Sequence, residues 1–495
     1  MDLGPIKINI SSHCPVCNSL MIHKQTSLNH IHFSGICGTA MGSLAVLLQK
    51  RGYHITGSDQ NIYPPMSDLL REHSIPVREG FSLVHLEPRP DLVVLGNALS
   101  RGNPEVEAAL AQSIPYISMA ELLKEFFIRG RTSLVVTGTH GKTTTTSLLA
   151  WAFANAGMNP GFLIGGIAEN LKTSCADGSG NFFITEGDEY DTAFFDKRSK
   201  FLHYLPDQLI LNNLEFDHAD IFTSLEQIQQ SFRWLLRLVP GNGFVVANGD
   251  DDNLKPVLEQ IYSPLLTFGL GPDCNVRIED IQICETGSRF RLEGSGQKSQ
   301  QIWNLPMVGI HNIRNATAVI LLAQHNHLSA EQIQQGFSSF QGVKRRQELR
   351  GAINDIWVYD DFAHHPTAVA ETIRALRQKH PGKRLCAVFE PRSNTSVLRI
   401  HQEQLVYALA QADEVLLAPP HRAERISPDE RLDVKAIVHA LNRQIPAHAL
   451  EISAILEHLQ ATATSGDVIL IMSNGKFDNL HERLLKILDS EIDLA

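Results

Sequence analysis

Thr137-Gly138-Thr139-His140-Gly141-Lys142-Thr143-Thr144 decides the reading of this chain. The five residues up to Thr137, Ser-Leu-Val-Val-Thr, are apolar and β-branched, the composition of a buried strand. Residues 145–156 then read as a helix. A strand that runs through two glycines into a helix makes an anion cradle, because the first helical N–H groups and the helix dipole point at the bound group. Lys142 can reach the outer phosphates of a nucleoside triphosphate, and the Thr143 hydroxyl suits Mg²⁺. The loop is shorter than the common GxxxxGK[ST] pattern, since Val136 stands where the first glycine would be.

Upstream lies a second α/β pattern. His30 to Phe33 reads as a strand, the glycine turn Gly35-Ile-Cys-Gly38-Thr-Ala-Met-Gly42 follows, and residues 43–51 read as a helix. Residues 53–56 form the next strand, which ends in Gly57-Ser58-Asp59. Strand, glycine turn, helix, strand is a Rossmann-type unit. Further strands are expected at 91–95 and 114–118, and a linking helix at 119–129. In the middle region strands are expected at 182–185, 208–212 and 243–248. Antiparallel strands should follow within 274–303, and a helix at 311–324. From Gly342 on, strands at 356–359, 384–389, 414–418 and 467–472 alternate with helices at 367–379, 396–410 and 433–442, which argues for a mostly parallel sheet. The reading is α/β throughout, in three domains at 30–129, 130–341 and 342–495, after an extension at 1–29 that is expected to be flexible. That extension contains Cys14-Pro-Val-Cys17, half of a zinc site with no second pair to complete it.

Bulk composition narrows the function. The 495 residues carry a formal net charge of −11 and are 43% hydrophobic. An acidic chain repels phosphate polymers, so nucleic acid is not an expected partner. No apolar run approaches the length that crosses a bilayer, and the N-terminus shows no secretory pattern, so a cytoplasmic protein with reduced thiols is expected, with no membrane partner.

The shortened loop, TGTHGKTTTT, resembles the ATP loop of the Mur ligases, which build the peptide stem of peptidoglycan. Five further motifs of that family follow it in order. Glu186-Gly-Asp-Glu-Tyr-Asp191 resembles the acidic motif whose first Glu binds magnesium. Asn212-Asn-Leu-Glu-Phe-Asp-His218-Ala-Asp220 resembles the segment whose His belongs to the magnesium site. His311-Asn312-Ile-Arg-Asn315-Ala resembles the HNxxNA helix start, and Gly342-Val-Lys-Arg345-Arg346 the GxxxR linker. Tyr359-Asp-Asp361-Phe-Ala-His364-His365-Pro resembles the DDYxHHP stretch.

The resemblance implies a Rossmann-like N-terminal domain, a P-loop ATPase-type middle domain and a Rossmann-like C-terminal domain. It implies ATP and Mg²⁺ as cofactors. Lys142, Glu186, His218 and Arg346 would be catalytic, with Arg345 as the alternative to Arg346. Gly138, Thr139, His140, Gly141, Lys142, Thr143, Thr144, Asn312, Asn315, Arg346 and Asp361 would bind ATP. Thr143, Glu186 and His218 would hold the metal. Gly35 and Gly38 would face the diphosphate of a UDP-sugar, with Ser58 and Asp59 near the uridine, and His364 and His365 would lie near the incoming amine.

Gln229-Gln-Ser-Phe-Arg-Trp234 lacks the carbamylated lysine of several Mur ligases, as the L-alanine-adding branch does. Yet EYDTAFFDKRSK and LNNLEFDHADIF resemble the branch that joins the tripeptide L-Ala-γ-D-Glu-meso-diaminopimelate to UDP-N-acetylmuramate in peptidoglycan recycling. The basic stretch within 196–200 could read a tripeptide's carboxylates or be solvated surface charge. UDP-N-acetylmuramate and that tripeptide are therefore the expected substrates, and L-alanine is the alternative amine. An NAD-dependent oxidoreductase would explain the first domain but leave the phosphate loop unused. A non-catalytic nucleotide-binding protein would bind without turnover.

Overall fold

The computed structural model describes residues 28–298 and 300–490. The Cys14–Cys17 pair and nearly all of the expected extension lie outside them. No helix among the described residues is long and apolar enough to cross a membrane.

The chain forms two compact units. The first is built on a five-stranded parallel sheet in the order Val77–Glu79, His54–Asp59, His30–Ser34, Leu92–Leu95, Tyr116–Ser118. Its central strands are buried along almost their whole length, as parallel strands covered on both faces must be. The helix expected at 119–129 is α-helical only over Met119–Leu123, where Ser118 and Glu121 make a capping box. It then widens into a π-type turn over Lys124–Ile128, which buries Glu125, Phe127 and Ile128. A distant segment, Asp191–Tyr204, also belongs to this unit. It is a hairpin of Asp191–Ala193 and Asp196–Ser199, and Phe195 packs edge-on against Tyr116 at 5.2 Å.

The second unit holds the rest of the described chain, with two sheets. A ten-stranded sheet has the phosphate-loop strand Thr132–Thr137 between Gln208–Leu211 and Phe182–Gly187, all parallel. Val276–Cys284 joins one side of it parallel to Leu265–Gly269, and Gly287–Gly294 and Ile302–Leu305 extend that side antiparallel. The helices Lys142–Asn155, Ile310–His325 and Ala330–Ser338 cover it and share one core with Leu134, Val136, Ile184 and Ile210.

The other sheet has six strands in the order Glu348–Ile353, Ile356–Asp361, Val468–Met472, Leu385–Phe389, Glu414–Leu417, Ala447–Ala449. Five are parallel. The first is antiparallel and unforeseen; a two-residue turn joins it to its neighbour, with Asn354 and Asp355 both at positive φ. The helix expected at 396–410 starts late. Ser393 and Ser396 hydrogen-bond to each other and to backbone, which holds the chain in a turn, and the α-helix runs only over Gln402–Leu409.

Candidate active site

The phosphate loop leaves its strand with Gly138 at φ +139° and enters its helix with Gly141 at φ +78°. Both are confined as well as left-handed. A Cβ on Gly138 would come within 3.0 Å of the Asn213 backbone, and one on Gly141 within 2.8 Å of Asn315 Oδ1. The loop is therefore clamped between the segment after Gln208–Leu211 and the helix Ile310–His325. Asn213 Oδ1 accepts from the His140 amide at 2.7 Å.

Lys142 opens the helix and folds back over the loop. Its Nζ donates to the Gly138 carbonyl at 2.8 Å and to Glu189 Oε2 at 2.7 Å. Burial pulls the ammonium pKa down, but Glu189, with Asp188 and Glu186, holds it above its ordinary value. The other Glu189 oxygen lies 3.2 Å from His218 Nε2. For His218 too, burial opposes the charged form and the bond to Glu189 overcomes it, so its pKa is raised. Glu189, which meets both Lys142 and His218, is not singled out by the sequence reading. It lies in the acidic motif, but a run of four acids within six residues does not say which of them turns inward.

Glu186 sits on the strand Phe182–Gly187. Burial pushes its carboxyl up, against Lys142 and the Thr143 hydroxyl, and its Oε2 is buried without a hydrogen-bond partner. Gly165 makes this possible, because a Cβ there would fall 2.0 Å from Glu186 Oε1. Asp188, Glu189 and His218 offer donor atoms that all lie within 4.8 Å of one another. An orphaned carboxylate oxygen beside a threonine hydroxyl, with more carboxylates close by, fits a hard divalent cation.

The remaining motifs meet the loop across a cleft of about 410 Å³, which His140–Thr144, Asn312, Asn315, Arg346, Asp361 and His364 help to line. Asn312 and Asn315 are buried, and Asn312 Nδ2 donates to the Val308 carbonyl. Arg346 Nη2 lies 3.5 Å from Thr143 Oγ1. Arg345 is committed elsewhere: its guanidinium donates to the carbonyls of Ser473 and Gly475. Asp361 accepts from the amides of Gln347 and Ala363, each at 2.7 Å.

The two histidines of the HHP stretch part company. His364 faces the cleft, 3.8 Å from Asp217 Oδ2. His365 is buried, with Nδ1 3.2 Å from Glu215 Oε2, and desolvation and then His140 lower its pKa to about 3. It packs against Glu215 and is not among the residues that line this cleft.

A second pocket of about 440 Å³ is lined by Tyr190, Asp217, His218 and His364 on one side and by Arg392, Asn394, His421 and Arg422 on the other. Arg392 and Arg422 lie in different loops and form no spaced motif, so no sequence pattern marks them.

In the first unit, Gly35 has φ +84°, and its amide donates to the Ser58 carbonyl at 2.8 Å. Gly38 and Thr39, at the start of the helix Thr39–Lys50, are exposed. The Ser58 hydroxyl is turned away from any ligand: it is buried and donates to Glu105 Oε2 at 2.6 Å. Asp59 is spent on the loop, accepting from the amides of Cys37 and Asn61, each at 2.9 Å. In the hairpin, Lys197 pairs with Asp191 and Arg198 with Asp196, so these charges are matched internally.

Three family models match: "Mur ligase family, catalytic domain" over residues 30–131, "Mur ligase middle domain" over 136–323, and "Mur ligase, glutamate ligase domain" over 345–475. The chain is 43% identical over 470 residues to the UDP-N-acetylmuramate–L-alanyl-γ-D-glutamyl-meso-2,6-diaminoheptandioate ligase of Escherichia coli K12, covering 94% of this chain and 99% of that protein. It is 33% identical over 474 residues to the UDP-N-acetylmuramate–L-alanine ligase of Acetivibrio thermocellus, covering 94% and 98%. Among solved structures, a murein peptide ligase from Psychrobacter arcticus 273-4 superposes with a TM-score of 0.69 at 39% identity, covering 93% of this chain and 98% of that one. The phosphate loop, the acidic motif and the cleft thus belong to an ATP-dependent ligase that forms carbon–nitrogen bonds, and the chain is a member of the Mur ligase family.

Proposed function

We propose that this ligase joins the carboxylate of UDP-N-acetylmuramate to the amino group of L-Ala-γ-D-Glu-meso-diaminopimelate. The observation that carries the choice of amine is the pocket beside His218 and His364. Its far wall presents Arg422 and Arg392, the latter also paired with Glu390, in a chain whose net charge is −11. L-Alanine has one carboxylate beside its amine and needs no such wall, whereas the tripeptide carries several carboxylates. The higher identity to the E. coli tripeptide ligase than to the alanine ligase points the same way.

The chemistry follows from the cleft. Lys142 and the loop amides hold the β- and γ-phosphates of ATP, and Arg346 faces them from the C-terminal domain. The muramoyl carboxylate oxygen attacks the γ-phosphorus, the bond to ADP breaks, and an acyl phosphate forms. The tripeptide amine then attacks the acyl carbon, loses a proton, and expels phosphate. Thr143, Glu186 and His218 would hold Mg²⁺, which supplies charge neutralisation on the phosphates. The rest of the catalysis is positioning and electrostatic stabilisation by fixed cations. His364, facing the second pocket beside Asp217, is placed to orient the amine or receive its proton. The exposed helix start at Gly38 and Thr39 would take the UDP diphosphate. Asp59 would act by shaping that loop.

ADP release with ATP, Mg²⁺ and UDP-N-acetylmuramate, offering either amine, tests the reading. Release with the tripeptide and not with L-alanine is expected. Release with L-alanine alone overturns the choice of amine, and release with neither overturns the ligase assignment of this cleft.

A further inference from the structure

We propose that Glu414, His448 and His458 form a site for one transition-metal dication of the zinc class, separate from the phosphate cleft. The three residues come from three elements. Glu414 opens the strand Glu414–Leu417, His448 is the middle residue of the edge strand Ala447–Ala449, and His458 lies on the helix Ile452–Thr462. Their donor atoms converge. Glu414 Oε1 is 2.8 Å from His458 Nε2 and 3.7 Å from His448 Nε2, and all three atoms lie within 4.8 Å of one another. The two imidazole rings are 4.9 Å apart and tilted by 46°.

Two neutral imidazoles and one carboxylate are the donors that borderline metals take, and Mg²⁺, which prefers oxygen and water, does not compete well for them. The surroundings favour a cation as well. Arg384 binds the other oxygen of Glu414 and also Asp467 Oδ2 at 2.6 Å. Two carboxylates and one guanidinium leave the group with a net charge of −1 while both histidines are uncharged. The arginine also fixes the carboxylate with Oε1 toward the imidazoles, the orienting role that partners behind a metal ligand play. Glu414 is buried, but the His448 side chain is 43% exposed, which leaves an entry path and room for a water as fourth ligand. Binding at Nε2 would need the His458 tautomer with its proton on Nδ1, so the hydrogen bond from Nε2 to Glu414 Oε1 would give way to the metal.

The site's place in the fold indicates its consequence. Asp361 closes its strand at the cleft, whereas Glu414 begins a strand that runs in the same direction in the same sheet. The metal would sit at the opposite edge from the phosphates and tie the helix Ile452–Thr462 to the short edge strand. It would raise stability and leave turnover alone.

The test uses the full chain, stripped with a chelator and titrated with Zn²⁺ in millimolar Mg²⁺, beside His448→Ala and His448→Ala/His458→Ala. Cys14, Cys17 and the cleft carboxylates can also take zinc, so the readout is the difference between proteins. The wild type should bind one more zinc ion per chain than the double variant. It should also gain about 2–4 °C in Tm on saturation, which the double variant does not. His448→Ala keeps the Glu414–His458 hydrogen bond, and so the fold, and should bind this ion at least about tenfold more weakly. ADP release should be the same in all three at equal Mg²⁺. Equal stoichiometry in wild type and double variant, or unchanged affinity in His448→Ala, overturns the site.

Discussion

Glu215 Oε2 lies 2.9 Å from His140 Nε2, and this contact joins the phosphate loop to the segment that leads to His218. The same carboxylate accepts from the Thr367 hydroxyl at 2.7 Å and meets His365 Nδ1 at 3.2 Å. Its own amide donates to Thr139 Oγ1 at 2.8 Å. One side chain thus joins the loop that holds the nucleotide to the helix that follows His364. Glu215→Ala should leave the sheets intact and lower kcat/KM by about tenfold or more, about 1.4 kcal/mol of transition-state stabilisation. Steady-state kinetics beside a thermal melt would separate this from unfolding; a variant with wild-type kcat/KM would show that the contact is idle.

Lys142→Ala should abolish ADP release. The lysine is the loop's cation toward phosphate, and it also neutralises Glu189. Far-ultraviolet circular dichroism should be unchanged, because the helix begins at the same glycine. Normal turnover in this variant would remove the phosphate-loop assignment.

Gly165→Ala tests Glu186 without touching it. The added methyl would fall 2.0 Å from Oε1, so the carboxylate must move away from Thr143. Activity should fall by at least about tenfold, and the Mg²⁺ concentration needed for half-maximal rate should rise. A variant with unaltered Mg²⁺ dependence would place the metal elsewhere.

Arg392→Ala and Arg422→Ala should raise the KM for the tripeptide by about tenfold each, the loss of one charge-assisted contact. The KM for ATP should not move. Equal effects on both substrates would mean that the wall supports the cleft as a whole and does not read the peptide.

Glu105 makes the first unit acid-sensitive. Burial alone would raise its carboxyl pKa, but hydrogen bonds from His32, Ser34 and Ser58 overturn that and hold it at about 2. A folded-state pKa below the unfolded value means stability that is present above about pH 4.5 and lost as pH falls toward 2. Taken at about 1.4 kcal/mol per unit, this is on the order of 3 kcal/mol. Chemical denaturation followed between pH 6 and 3 should show that loss beginning below pH 4.5, and Glu105→Gln should flatten it. An equally steep loss in the variant would assign the acid sensitivity to other carboxylates.

Much of this protein was legible along the chain. Strand and helix periodicity located the elements around the phosphate loop, and the ordered motifs from Gly138 to His365 identified the family. These signals are local: a glycine turn, a β-branched run and a helix start each depend on neighbours a few residues away. What escaped was set by contacts between distant segments. Only folding separates Glu189 from Asp188 as the partner of Lys142, because adjacent acids differ mainly in where they point. Only folding turns the Ser58 hydroxyl inward onto Glu105, 47 residues away, and buries His365 while His364 faces the cleft. The chain sequence determined which chemistry is possible by supplying the groups. The tertiary structure decided which groups perform it, since burial, pairing and direction are properties of packed neighbours that no single stretch contains.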